Sequence, residues 1–102
     1  MKTKKPLWQV YILKCSDETF YAGVTTDLKR RVDEHNTSAL GAKYTSGRRP
    51  VELVYARSFA NRSMASKEES RIKKLSREEK LKLIQKSSMQ YLNPVFSPPH
   101  IA

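Results

Sequence analysis

The segment WQVYILKCSDETFYAGV, residues 8–24, constrains the fold more than any other stretch of the chain. Its β-branched and aromatic residues alternate around a polar break, the period-two pattern of pleated strands rather than of a helix. It predicts strands over 8–15 and 19–24 joined as a β-hairpin. Parity then decides the faces, because a one-residue change in register turns one strand over. An odd loop, taken as residues 17–19 with Cys15 opposite Tyr21, gathers Trp8, Val10, Ile12, Phe20, Ala22 and Val24 on one face. The other face then carries Gln9, Tyr11, Leu13, Cys15, Tyr21 and Gly23. An even loop mixes apolar and polar residues on both faces, so the odd register is preferred. It sets Tyr11 and Tyr21 side by side, next to a glycine that leaves room for a close approach.

After Thr25 the period changes. Leu28, Val32 and His35 fall at helical spacing, with Thr25, Thr26 or Asp27 available as N-cap and Asn36 near the exit. Residues 37–50, with two glycines and a closing proline, read as a loop. A third strand is predicted over 51–59, then a helix opened by Asn61 or Ser63, then a second helix opened by the capping box Ser76–Glu79. The order is ββαβαα: an α+β fold with a small three-stranded mixed or antiparallel sheet and flanking helices. Residues 1–7 read as a basic flexible lead-in, 8–87 as a single domain, and 88–102, with three prolines, as an irregular tail.

Charge narrows the partners. Twenty Lys and Arg against ten Asp and Glu give a net charge of +10, which points to a polyanion and above all to nucleic acid. No apolar run approaches the length of a membrane span, so no membrane partner is expected, and a soluble cytoplasmic protein, taken as a monomer, is the default. The single cysteine, Cys15, excludes an internal disulfide.

Chemistry-bearing residues converge on the tyrosine face. Arg31 and His35 are i,i+4 neighbours on the side of the helix marked by Leu28 and Val32. An arginine there needs an anion, either a carboxylate or a phosphate, and a histidine there can shuttle protons. On the next helix Glu68 points between Met64, Ile72 and Leu75, while Glu69 lies on the flank with Ala65. One carboxylate is too little for an all-protein metal cage, yet it suffices for Mg²⁺ or Mn²⁺ shared with substrate phosphate and water. Lys43, Arg48 and Arg49 in the central loop, with Lys73 and Lys74 behind and Lys67, Arg71 and Arg77 near them, are the candidate nucleic-acid contacts.

These residues, in this order, resemble the GIY-YIG nuclease superfamily, in particular its small stand-alone single-domain branch. VYI at 10–12 stands for the first motif and YAG at 21–23 for the second, with Val10 in place of a glycine and Ala22 in place of an isoleucine. TDLKRRVDEHN, GAKYTSGRRPVELVY and EESRIKKLSREEKLKLI resemble the parts that follow, over about residues 8–86. The resemblance implies a divalent-metal-dependent endonuclease acting on nucleic acid, with DNA placed ahead of RNA and both left open, using one Mg²⁺ or Mn²⁺. It implies that Tyr11 acts on the attacking water, that Tyr21 bonds near the nucleophile or scissile phosphate, and that Arg31 holds the phosphate. It places His35 where several members have a phosphate-contacting or proton-transferring residue. It makes Glu69 the metal ligand, whereas helical geometry favours Glu68 as the more inward residue. Tyr11, with a pKa ordinarily near 10, would have to be lowered by Arg31, a lysine or the metal, which implies an alkaline optimum. With no attached specificity domain expected, weak or structure-selective cutting is implied. The alternative is a catalytically weak or inactive nucleic-acid-binding module, since the asparagine that many relatives carry after the metal-binding helix has only Asn93 as a counterpart.

Overall fold

The computed structural model describes residues 7–37 and 40–91. Most of the lead-in, most of the tail and Asn93 lie outside them. The elements are β1 (Trp8–Lys14), β2 (Phe20–Thr25), α1 (Leu28–Thr37), α2 (Lys43–Ser46), β3 (Glu52–Phe59), α3 (Arg62–Lys73) and α4 (Arg77–Tyr91). The sheet has the order β2-β1-β3 and every pairing is antiparallel. Among the described residues no helix is long and apolar enough to cross a membrane.

The hairpin keeps the expected parity but not the expected alignment. Leu13, not Cys15, stands opposite Tyr21, and Tyr11 stands opposite Gly23. The loop is longer by two residues, both at the β1 end, because Cys15 and Ser16 leave the ladder; the Cys15 N–H still bonds the Thr19 carbonyl at 2.8 Å. Asp17 orders the turn through the Thr19 hydroxyl at 2.6 Å. A shift of two leaves every side chain on its face, so the segregation read from the sequence survives.

Each face then acquires its own core. Val10, Ile12 and Ala22 join Tyr55 of β3 under Ala65 and Ile72 of α3, with Leu75, Leu83 and Ile84 closing the layer. On the opposite face Tyr11, Leu13, Cys15 and Val51 lie under Leu28 and Val32 of α1. The unusual motif residues Val10 and Ala22 are thus core residues of the α3 face, buried away from Tyr11.

The caps fix where α1 sits. Asp27 caps its start, accepting from the Arg30 N–H at 3.2 Å. At its end the Asn36 amide clasps Val51 at two points, accepting from its N–H at 2.7 Å and donating to its carbonyl at 3.0 Å. Ser76 and Glu79 form the reciprocal capping box of α4, at 2.8 and 3.1 Å. Two local readings are corrected. The 37–50 loop contains the one-turn helix α2, too short to show a period. And α4 runs to Tyr91, past residue 87, because no proline interrupts it before that point.

Candidate active site

Tyr11 in the central strand, Tyr21 in the edge strand and His35 near the end of α1 meet on the α1 face. Their rings lie 5.2–6.4 Å apart, centroid to centroid. Tyr11 Oη and His35 Nε2 are 2.9 Å apart, and the other ring nitrogen, Nδ1, is 2.8 Å from Thr45 Oγ1. Tyr11, His35 and Thr45 are 1%, 0% and 0% exposed, so this chain of polar atoms is sealed from solvent. Among the described residues no buried side-chain polar atom lacks a partner.

Two glycines make the arrangement possible. A Cβ on Gly23 would lie 2.5 Å from Tyr11 Oη and 2.7 Å from Cζ. The space beside Gly23 is therefore taken by the Tyr11 hydroxyl itself, folded across its cross-strand partner. A Cβ on Gly41 would fall 2.7 Å from the Glu34 carbonyl oxygen and 2.8 Å from His35 Cα. Gly41 thus lets the following loop press onto α1 and bring Thr45 to His35. In Gly23→Ala the Tyr11 ring must move, and overpacking of this kind costs about 1–3 kcal/mol. The expected result is a lower urea midpoint with loss of the Tyr11–His35 hydrogen bond, seen as a changed His35 ring signal by NMR.

Burial sets the protonation states. It pushes Tyr11 up to about 12; the Arg31 guanidinium pulls the other way but does not prevail, and the Tyr21 and Glu69 charges add to the rise. The sequence-based expectation of a lowered Tyr11 pKa is therefore overturned, because desolvation outweighs the nearby cation. His35 is driven down to about 4, first by burial and then by Arg31. The resting pair is a neutral phenol and a neutral imidazole throughout the physiological range. Linkage follows from His35: its folded value lies below the ordinary 6.5, so the stability it contributes is complete above about 6.5 and is lost as the pH falls toward 4. The full effect is about 3 kcal/mol. Urea midpoints of the wild type and His35→Asn should converge over that window.

Arg31 finds its anion within α1. Its Nη1 donates to Glu34 Oε1 at 2.9 Å and to the Leu40 carbonyl at 2.7 Å, so a carboxylate on its own helix supplies the charge a phosphate would. Above Tyr21 a second aromatic layer forms. Tyr44 of α2 stacks on it at 5.8 Å, and Arg48 lies 4.0 Å over the Tyr44 ring while bonding Asp17 at 2.9 Å. Sequence reasoning did not find Tyr44 or Thr45, since both lie in a segment without period.

On α3 the adjacent glutamates part. Glu68 is the more inward, as the helical geometry indicates, but Arg71 grips it at 2.6 and 2.9 Å and Arg57 stands 3.9 Å away. Glu69 pairs with Lys73 at 3.0 Å, and its charge is felt at Tyr11. Lys73 and Lys80 line a cleft of about 120 Å³ with Tyr21 and Ala22. The candidate residues therefore flank the edge strand β2, with Tyr11, Arg31 and His35 on the α1 face and Glu69 on the α3 face. Among the described residues no three His, Cys, Asp or Glu side chains gather into a metal cage, which leaves Glu69 as a lone carboxylate.

The whole of this site lies within residues 7–82, which match the GIY-YIG catalytic domain. The chain belongs to the GIY-YIG family. A UPF0213 protein of Desulfotalea psychrophila is 46% identical over 99 residues, covering 97% of this chain and 89% of its own. One from Halobacterium salinarum is 55% identical over 71 residues, or 70% of this chain and 91% of the relative. The solution structure of a UPF0213 protein from Bacillus halodurans is similar at a TM-score of 0.51 and 43% identity, over 78% of this chain and 83% of that one. A protein of E. faecalis gives 0.55 and 41% over 92% and 95%. The small stand-alone GIY-YIG branch is where these relatives fall, and membership supports nuclease activity on nucleic acid.

The candidate contacts to that nucleic acid do not form one surface. Arg48 is engaged with Asp17 and Tyr44, and Arg49 Nε donates to the His35 carbonyl at 2.6 Å. Lys43 is exposed at the start of α2. Lys73 faces the Tyr21 cleft, but Lys74 lies with Lys67 and Arg71 in a separate groove lined by Ser63, Ser66 and Ser70. Arg77 reaches back to the Glu18 carbonyl at 2.6 Å and lies 4.9 Å over Phe20, bracing the hairpin loop.

Proposed function

We propose that this GIY-YIG protein is a divalent-metal-dependent endonuclease that hydrolyses phosphodiester bonds, in DNA ahead of RNA, with weak or structure-selective cutting. The observation that carries the reading is the Tyr11–His35 hydrogen bond of 2.9 Å in a buried site beside a half-buried arginine. A neutral phenol bonded to a neutral imidazole is a two-step proton acceptor. As a water oxygen attacks phosphorus, its proton passes to Tyr11 Oη while the phenolic proton moves to His35 Nε2, and the bond from phosphorus to the leaving oxygen breaks. Arg31, exchanging Glu34 or the Leu40 carbonyl for a phosphate oxygen, stabilises the charge that grows there.

Glu69 fits the metal only as a shared ligand. Its carboxylate is partly exposed and its partner Lys73 is a surface ammonium, so an oxygen-seeking ion such as Mg²⁺ or Mn²⁺ would find one protein oxygen and take the rest from water and phosphate. When bound, it would neutralise phosphate charge beside the leaving oxygen. One observation favours the second reading, a binding module without catalysis: Tyr11 is 1% exposed, and Arg31, Arg48 and Arg49 all have partners within the protein.

The test is a cleavage panel of supercoiled plasmid, linear duplex, branched DNA, single strands and structured RNA, with Mg²⁺, Mn²⁺ or chelator. Cutting that needs the ion and is strongest on one or more DNA forms supports the proposal. Salt-sensitive binding with no cutting establishes the binding module.

A further inference from the structure

The buried contacts of His35 are ordered by a count of protons. The Thr45 hydroxyl has one proton and two short neighbours, His35 Nδ1 at 2.8 Å and the Ala42 carbonyl oxygen at 2.9 Å. The carbonyl can only accept, so the hydroxyl donates to it. Both contacts are then donor–acceptor pairs only if His35 Nδ1 carries a hydrogen and gives it to Thr45 Oγ1. The opposite tautomer would set two lone pairs against each other in a site with no solvent, at Nδ1 and Oγ1 across 2.8 Å or, with the hydroxyl turned to Nδ1, at Oγ1 and the Ala42 carbonyl oxygen across 2.9 Å. The Ala42 N–H lies 3.4 Å from Nδ1, the longest contact of the set, and is the one this tautomer leaves without an acceptor. At the far side of the ring Nε2 is then bare, so the Tyr11 hydroxyl donates to it across 2.9 Å.

We propose that Thr45 is a positioning residue of the active site, whose buried hydroxyl holds His35 as the Nδ1–H tautomer and so leaves Nε2 to receive the Tyr11 proton. The direction of proton flow rests on the nuclease reading above, whereas the tautomer does not. Thr45 touches no substrate. It acts through His35, and the fold places it there by the close approach at Gly41 and the turn of α2, where Thr45 N–H also bonds the Ala42 carbonyl at 3.1 Å. The imidazolium formed during turnover would keep both its hydrogens bonded, Nδ1–H to Thr45 and Nε2–H to the Tyr11 oxygen, so neither partner has to move as the proton crosses.

Removing the hydroxyl changes the count. In Thr45→Val the remaining polar neighbour of Nδ1 is the Ala42 N–H, a donor, which favours the reverse tautomer. Nε2–H would then donate to Tyr11 Oη, and the phenolic proton would have no acceptor. Thr45→Ser keeps the hydroxyl and should keep the tautomer.

The experiment combines ¹⁵N NMR of the histidine ring with cleavage kinetics. His100→Gln leaves His35 as the sole histidine of the chain. In that background the wild-type and Thr45→Ser proteins should show a protonated Nδ1 and an unprotonated Nε2. Thr45→Val should show the reverse, with kcat lower by about 10²-fold, the lower end of general acid–base contributions, and KM unchanged. Thr45→Ser should stay within a few-fold of wild type. A protonated Nε2 in the wild type overturns the proposal whatever the kinetics, as does a Thr45→Val protein that keeps the wild-type tautomer and rate. If no protein of the set cuts nucleic acid, the nuclease reading fails while the ring nitrogens still decide the tautomer. If Thr45→Val does not fold, the wild-type and Thr45→Ser spectra decide alone.

Discussion

Tyr11→Phe should lower cleavage by 10²- to 10⁴-fold, about the range general acid–base groups contribute. The ring stays, so the α1-face core stays filled, and what disappears is the oxygen between the attacking water and His35 Nε2. The imidazole then loses its buried donor, at about 1–3 kcal/mol, and the variant should melt earlier yet remain folded. His35→Asn should lose a similar factor, and the double variant should be little worse than either single one, since residues that act as a unit do not add. The pH profile separates a relay from a phenolate base. With His35 near 4 and Tyr11 near 12, neither titrates between pH 6 and 9, so kcat/KM should be level there. A rise of about tenfold per pH unit toward 10 would restore the phenolate base and the alkaline optimum that the sequence implies.

That difference shows where sequence reasoning reaches its limit. The alternation over residues 8–24 specifies which side chains share a face, because a strand has only two, and the two cores follow it residue by residue. Caps are equally legible, since a Ser76–Glu79 box needs only local spacing. Pair alignment is not legible: a loop longer by two preserves parity, so nothing in the hydrophobic pattern reports it. Burial depth is not legible either. Tyr11 reads as a strand tyrosine beside cations, and only the packed structure shows that its hydroxyl lies over Gly23 under α1, where the loss of water outweighs Arg31. Thr45 and Tyr44 escape for a third reason. They reach the site through a loop pinned by Gly41, Arg48 and Arg49, and such long-range contacts leave no periodic trace.

The same limit explains the glutamates. A helical projection ranks Glu68 above Glu69 by inwardness, and the structure agrees, but Glu68 is inward because Arg71 and Arg57 gather around it beside Tyr55. A carboxylate whose charge is already matched is a poor ligand for a cation. Glu69 offers an oxygen whose ion-pair partner among the described residues, Lys73, is a half-exposed lysine, and its charge reaches the site. The two substitutions should therefore have opposite profiles. Glu69→Gln should cut at least about 10²-fold more slowly, as the loss of several kcal/mol of transition-state charge stabilisation requires, while its stability changes by less than about 1 kcal/mol, the worth of an exposed ion pair. Glu68→Gln should lower the urea midpoint, because two arginines lose their shared anion, and should cut within a few-fold of wild type. Mn²⁺ titration followed by electron paramagnetic resonance, in the presence of an uncleavable oligonucleotide, should show weaker binding only for Glu69→Gln. The reverse pattern would move the ligand to Glu68 and place the metal by Tyr55 and Arg57 of β3, rather than near Lys73 at the β2 edge. Metal binding and cleavage untouched by both would leave the carboxylates without a catalytic part, and the Tyr11–His35 pair with Arg31 would have to carry the reaction alone.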